Sequence, residues 1–268
     1  MNVLERKMKF KKKISKFYKE TIFKLKKKIN LDKQILEITS LNELFNYFGT
    51  DKGTEVMNQY QKNPSKTDQK LIGHGYAQFY EKHLNIYKND KINILEIGTW
   101  KGASVAAFYH YFKNAIIFCI DKNFKFQFES NRVNFFNCDT ENFTDIKNLE
   151  KYFIEKKSES FEVIIDDGSH NYTDILNNFQ NFFKRIKPGG FYIIEDFNHY
   201  RLHSSYFNDK PDNAFDISEI FEFLLNKKNF KSEDLDHDFQ NYCFENISNI
   251  TIHKGIKDYS YIAFIKKK

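Results

Sequence analysis

Phe161–His170 reads FEVIIDDGSH: an apolar run rich in β-branched residues that stops on two adjacent carboxylates, a glycine, a serine and a histidine. The run predicts a buried parallel strand, because such strands are covered on both faces and lose the in/out alternation. Open α/β sheets bind ligands beyond the carboxyl ends of their strands, where Asp166, Asp167 and His170 then fall. Two neighbouring carboxylates repel each other unless a cation or a proton compensates, so an acidic pair with a nearby imidazole is a candidate metal and proton-transfer site. A plainer use of the same residues is a turn at Asp167-Gly168, with Asn171 or Thr173 capping the next helix.

Upstream, Ile92–Glu96 (INILE) is a second buried-strand run, followed by Ile97-Gly98-Thr99-Trp100-Lys101-Gly102-Ala103-Ser104. Gly98 and Gly102 let the backbone turn sharply and let a ligand approach closely. Their G-x-x-x-G spacing is neither the G-x-G-x-x-G dinucleotide fingerprint nor a P-loop. The run Ala115–Ile120 ends on Asp121, placed to accept hydrogen bonds from ribose hydroxyls. Arg132–Asn137 leads to Cys138-Asp139, and Phe191–Ile194 ends on Glu195-Asp196. Glu96, Asp121, Asp139 and Asp166-Asp167 together form an acidic rim suited to a cationic, hydroxyl-bearing ligand.

In that order and spacing, LEIGTWKGAS, CIDKN, NCD, IIDDGSH and KPGGFYIIEDF resemble class I S-adenosylmethionine-dependent methyltransferases, over roughly residues 40–268. DDGSH with the upstream GTDKG (Gly49–Gly53) and HGYAQFYEKH (His74–His83) resembles the metal-dependent sugar O-methyltransferases within that class, which act on macrolide deoxysugars or belong to bacterial surface-polysaccharide loci. The resemblance implies a Rossmann-like α/β fold: a doubly wound, mostly parallel seven-stranded sheet with an antiparallel C-terminal strand, plus N-terminal helices. It implies S-adenosylmethionine contacts at Glu96, Gly98, Gly102, Asp121 and Asp139. It implies Mg²⁺, or Mn²⁺, on Glu81, Asp166 and Asp167, with His170 as base and His74 and Tyr76 toward the acceptor; Glu195 and Asp196, on the ligand side of the sheet, either assist the metal or bind acceptor hydroxyls. The acceptor is then a small-molecule sugar or nucleotide-sugar, with capsule biosynthesis as the setting. An oxygen on a capsular phosphoramidate is the alternative acceptor within this chemistry, and self-association of the chain is compatible with it. Two other classes compete: an NAD-dependent oxidoreductase, which should carry G-x-G-x-x-G, and a non-catalytic binding protein.

Composition fits a folded protein: of 268 residues, 41% are hydrophobic and 18% aromatic, enough to bury a core. Cys119, Cys138 and Cys243 show no C-x-x-C spacing, which points to a reducing cytoplasm and away from structural zinc. No apolar run approaches the roughly 20 residues of a membrane span, and no secretory core follows the basic start.

Charge is uneven. Of the 42 Lys/Arg and 36 Asp/Glu, residues 1–30 hold twelve and two, leaving 30 against 34 on the rest, or +10 beside −4. Leu4, Met8, Ile14, Tyr18, Ile22, Leu25 and Ile29 share one helical stripe among lysines, as in a helix that docks on an anionic membrane surface or a protein partner. The alternative is that this stripe packs on the chain's own domain. The acidic remainder lacks a basic groove, which argues against nucleic acid as a partner. The expected location is the cytoplasm, peripheral at the inner face of the membrane.

The expected organisation is a basic helical extension over 1–30, a helical lead-in with acceptor-site residues over 31–88, and the cofactor-binding domain over 89–268. Helices are expected over Leu31–Phe48, Gly75–Tyr87, Ser104–Phe112, Thr144–Lys157, Tyr172–Ile186 and Ile217–Lys228. Ile247–His253 and Tyr259–Ile265 are expected to finish the sheet.

Overall fold

A computed structural model describes residues 14–16, 18–56, 71–201 and 209–268. Its centre is a seven-stranded sheet of β1 (Asn93–Ile97), β2 (Ile116–Asp121), β3 (Val133–Asn137), β4 (Phe161–Asp166), β5 (Ile186–Glu195), β6 (Ile247–Lys254) and β7 (Tyr261–Lys267). The spatial order is β6-β7-β5-β4-β1-β2-β3. Strands β1 to β5 pair in parallel. β7 runs antiparallel to both β5 and β6. This is the expected fold, antiparallel finish included.

Residues 14–16 and 18–25 are helical, and the helices packed on the sheet or beside it are α1 (Leu41–Phe48), α2 (Ala77–Leu84), α3 (Ala103–Tyr111), α4 (Phe143–Glu155), α5 (Tyr172–Phe182), α6 (Ile217–Leu225) and α7 (His237–Asn246). They divide the core in two. Ile94, Ile117, Val163 and Ile193 meet α1–α3 on one face. Leu95, Phe118, Ile164 and Ile194 meet α5–α7 on the other, where Leu176, Phe179, Phe183 and Ile186 are buried as expected. Successive strand side chains point to opposite faces, and that alternation decides where each strand-end acid lands.

Two local expectations change. Leu31–Phe48 is not one helix: a 3-10 turn at Leu31–Lys33 gives way to extended chain, and the helix starts only at Leu41 behind the Ser40 cap. Ser and Thr bond their own backbone in non-helical conformations, so Thr39-Ser40 suits a start rather than a middle. Helix α7 had no periodic apolar signal; it is fixed by the Asp236 cap and by burial of Phe239 and Cys243.

Candidate active site

The chain moves outward from β1 in one direction through β2 and β3 and in the other through β4 and β5, so β1 and β4 flank the point where strand order reverses. Crevices open there in α/β sheets. A cavity of about 300 Å³ lies at this point, lined by Gly98–Lys101 after β1, Asp121 after β2, Cys138–Glu141 after β3 and Asp167–His170 after β4. The loops are drawn tightly together: the Asp167 amide donates to the Ile97 carbonyl at 3.0 Å. Gly98 holds φ 86°, and a Cβ there would stand 2.0 Å from the Asp167 carbonyl oxygen, so this position requires glycine. Gly102 starts α3 against the Phe126 ring instead of lining the cavity.

The acids divide into wall and foundation. Asp121 and Asp139 line the cavity. Asp121 Oδ2 accepts from the Trp100 amide at 2.8 Å, which fixes the carboxylate at the rim. Glu96 is fully buried behind the wall on the α1–α3 face. Neither of its oxygens has a well-formed hydrogen bond among the described residues. Burial pushes its carboxyl up to about 7, against the pull of the Lys52 ammonium.

Asp166 and Asp167 part company. Asp166, the last strand residue, faces α5, where its oxygens accept from Asn178 Nδ2 and the Tyr192 hydroxyl, both at 3.2 Å. Buried there, its carboxyl is pushed up to about 7. Asp167 lies past the strand and turns to the other side, into the cavity. Glu81 is elsewhere again: its Oε1 accepts the Leu41 amide at 2.9 Å and caps α1. The expected grouping of Glu81, Asp166 and Asp167 around one ion therefore does not assemble. Adjacent strand residues diverge, and the outward face of α2 meets the start of α1 rather than the sheet end.

A cation of the chain's own answers Asp167. Lys52, from the GTDKG loop, is 1% exposed and lies 2.5 Å from Asp167 Oδ2 and 2.7 Å from Glu195 Oε2. Burial would lower its pKa, but the two carboxylates outweigh that and hold it well above the lysine range. One ammonium faces two acids, so burial still drives the Glu195 carboxyl well above its ordinary value. The Tyr80 hydroxyl donates to the other Glu195 oxygen.

The GTDKG loop runs beside Gly73–Tyr76 through backbone bonds, among them the His74 amide to the Asp51 carbonyl at 2.6 Å and the Tyr76 amide to the Lys52 carbonyl at 2.8 Å. This pairing sets His74 and Tyr76 behind Asp196, which both support: the Tyr76 hydroxyl donates to it, and His74 Nδ1 lies 3.3 Å from Oδ1. Burial would raise the Asp196 carboxyl. The His74 hydrogen bond and the fields of His74, His170 and His199 outweigh it and hold the group well below the usual carboxylate range. Among the described residues, ligand atoms of His170, Asp196 and His199 lie within 4.8 Å of one another, an arrangement able to hold a metal ion. His170 also lines the cavity, with Nε2 3.7 Å from Asp167 Oδ1.

Lys52 and His199 are the residues that reading the sequence missed. His199 carried a weak signal, three positions after Asp196 at a strand end.

Fold and site narrow the comparison. Residues 95–197, under half of the chain, match the family model described as a methyltransferase domain. Particular relatives sharpen the likeness. The chain is 28% identical over 130 residues to demethylmacrocin O-methyltransferase of Streptomyces fradiae, a match covering 46% of this chain and 32% of that protein. It is 28% identical to mycinamicin VI 2''-O-methyltransferase of Micromonospora griseorubida, over 46% of this chain and 31% of that one. These matches thus span about a third of the relatives' length. Among solved structures, the MycE methyltransferase of the mycinamycin pathway, in complex with Mg and SAH, superposes with a TM-score of 0.60 at 20% identity, covering 85% of this chain and 54% of that one. At that identity the superposition establishes the fold.

Proposed function

We propose that this protein transfers a methyl group from S-adenosylmethionine to a sugar hydroxyl, assisted by a divalent cation. The observation that carries the reading is the single cavity joining the glycine turn after β1, the rim acids Asp121 and Asp139, and the DDGSH loop, with the His170–Asp196–His199 cluster beside its inner end. A cavity of about 300 Å³ is the size of a small-ligand site.

The residues fit both groups. Asp121 and Asp139 offer acceptors to ribose hydroxyls and an exocyclic amine. Asp167 and the buried Glu96 give negative potential where a sulfonium and an ammonium would lie. Asp196, kept ionised, and His199 would hold the cation, with His170 beside it as the base; a carboxylate with an imidazole suits Mn²⁺ at least as well as Mg²⁺. When bound, the cofactor supplies an activated methyl group, and the cation lowers the pKa of a hydroxyl it contacts.

The chain's own residues do the rest. His170, the only imidazole lining the cavity among the described residues, is placed to take the hydroxyl proton. Asp167 Oδ1 stands 3.7 Å from its Nε2 and orients the ring. Burial raises the Asp167 carboxyl, and Lys52 pulls against that rise and orients the group. Tyr76 and His74 hold Asp196 in place.

A sugar as acceptor is supported by relatives whose names carry a glycosyl group, L-olivosyl-oleandolide 3-O-methyltransferase and 8-demethyl-8-alpha-L-rhamnosyl tetracenomycin-C 2'-O-methyltransferase. Capsule biosynthesis as the setting, and phosphoramidate as an alternative acceptor, rest on the sequence resemblance alone. The three cysteines are buried and unpaired, which supports a reducing compartment. Isothermal titration tests the cofactor: S-adenosylhomocysteine should bind and NAD should not, and the reverse would restore the oxidoreductase reading.

A further inference from the structure

We infer that the amino-terminal helix docks this protein on a bilayer surface bearing anionic lipid headgroups. The inference rests on the helix alone and is independent of the catalytic reading. Residues 14–16 and 18–25 are helical. At 100° per residue, Lys16, Glu20 and Phe23 share one side of the helix, and Ile14, Tyr18, Ile22 and Leu25 share the opposite side. The first side faces the body: Phe23 is buried against Phe124 and Phe135, with ring centroids 5.5 and 5.1 Å away, and Lys16 Nζ lies 3.0 Å from Asp145 Oδ2. The apolar side faces out, with Tyr18 66% and Leu25 81% exposed.

A helix of a soluble domain ordinarily buries its apolar stripe. Here that arrangement is inverted, so the alternative that the stripe packs on its own domain does not hold for the described residues. The expected Leu4 and Met8 lie outside them. Exposed Lys19 lies on the helix, and exposed Lys26 and Lys27 follow directly after its last residue, Leu25. The first 30 residues carry +10 in composition against −4 on the remainder, so an anionic surface attracts this end and repels the body. That asymmetry orients the protein. A protein partner would need roughly 800 Å² of complementary surface on each side, more than a four-residue stripe supplies, whereas a bilayer accepts a narrow stripe with a lysine rim and a tyrosine at headgroup depth.

Sedimentation of the full chain with vesicles tests this. It should pellet with phosphatidylcholine–phosphatidylglycerol vesicles and not with phosphatidylcholine alone, and added salt should release it. The triple variant Lys19→Gln, Lys26→Gln, Lys27→Gln should weaken partitioning on the order of a hundredfold, about fivefold per lysine. Ile22→Asp with Leu25→Asp should abolish it. These side chains point to solvent, so each variant should keep the wild-type melting curve and S-adenosylhomocysteine affinity. Indifference to anionic lipid, wild-type binding by the Ile22/Leu25 variant, or capture only by an acidic protein would each overturn the inference.

Discussion

Replacing Lys52 with Met keeps the length of the side chain and removes its charge from between two buried carboxylates. In the native protein the ammonium, 2.5 Å from Asp167 and 2.7 Å from Glu195, balances one of them, and Glu195 is driven toward its protonated form. Without Lys52, Asp167 must take up a proton as well. Protonating a carboxyl of ordinary pKa near 3.9 costs about 4 kcal/mol at pH 7 and about 1.5 kcal/mol at pH 5. The first value falls within the roughly 3–5 kcal/mol lost when one partner of a buried ion pair is deleted. The sign follows: carboxyls raised in the folded variant favour folding in acid, and that advantage disappears as pH rises through their folded pKa. Urea unfolding followed by far-UV circular dichroism should show Lys52→Met far weaker than wild type at pH 7 and close to it at pH 5. Adding Asp167→Asn should restore most of the loss at pH 7. A deficit below about 1 kcal/mol at pH 7, or one unchanged between the two pH values, would refute the account of Lys52 as internal counter-ion.

Three further outcomes are expected. Asp166→Asn should stabilise the protein above pH 8 by roughly 2–4 kcal/mol, because burial holds the carboxyl at about 7 and ionising it there opposes folding; the gain should vanish below pH 4, and Mn²⁺ affinity measured by electron paramagnetic resonance should not change. Asp121→Ala should weaken S-adenosylhomocysteine binding by about 1.5–3 kcal/mol in calorimetry, the worth of hydrogen bonds to an ionised acceptor; unchanged affinity would remove Asp121 from the site. His170→Ala should cut turnover by about 10²–10⁴-fold with partial recovery at high pH, and a variant as fast as wild type would dismiss it as the base.

The sheet was legible because β1, β2, β4 and β5 carry apolar runs that reach an acid at or beside the strand end, and the glycine turn and DDGSH mark its two central strand ends. The sides of the residues at those ends were harder to read. Asp166 and Asp167 look like a pair in the sequence, yet strand alternation sends one into the α5 face and the other into the cavity. Lys52 sits in a polar loop and reads as a solvated lysine; its partners are 115 and 143 residues away, a distance no local pattern spans. Glu81 matched a motif on a short helix, and only the packing of α2 beside the start of α1 shows its carboxylate to be a cap. The stripe on residues 14–25 was visible, but which side faces the body depends on Phe23 meeting Phe124 and Phe135.

The proposed function is metal-assisted methyl transfer at the β1–β4 crevice. Its most direct test is transfer of labelled methyl from S-adenosylmethionine to a panel of free and nucleotide-linked sugars, with EDTA and then with Mg²⁺ or Mn²⁺ restored. Label should enter a sugar hydroxyl, vanish in EDTA and return with the metal, while S-adenosylhomocysteine binding persists throughout. Undiminished transfer in EDTA would contradict the role of the cation, and a protein that binds no S-adenosylhomocysteine would contradict the whole assignment.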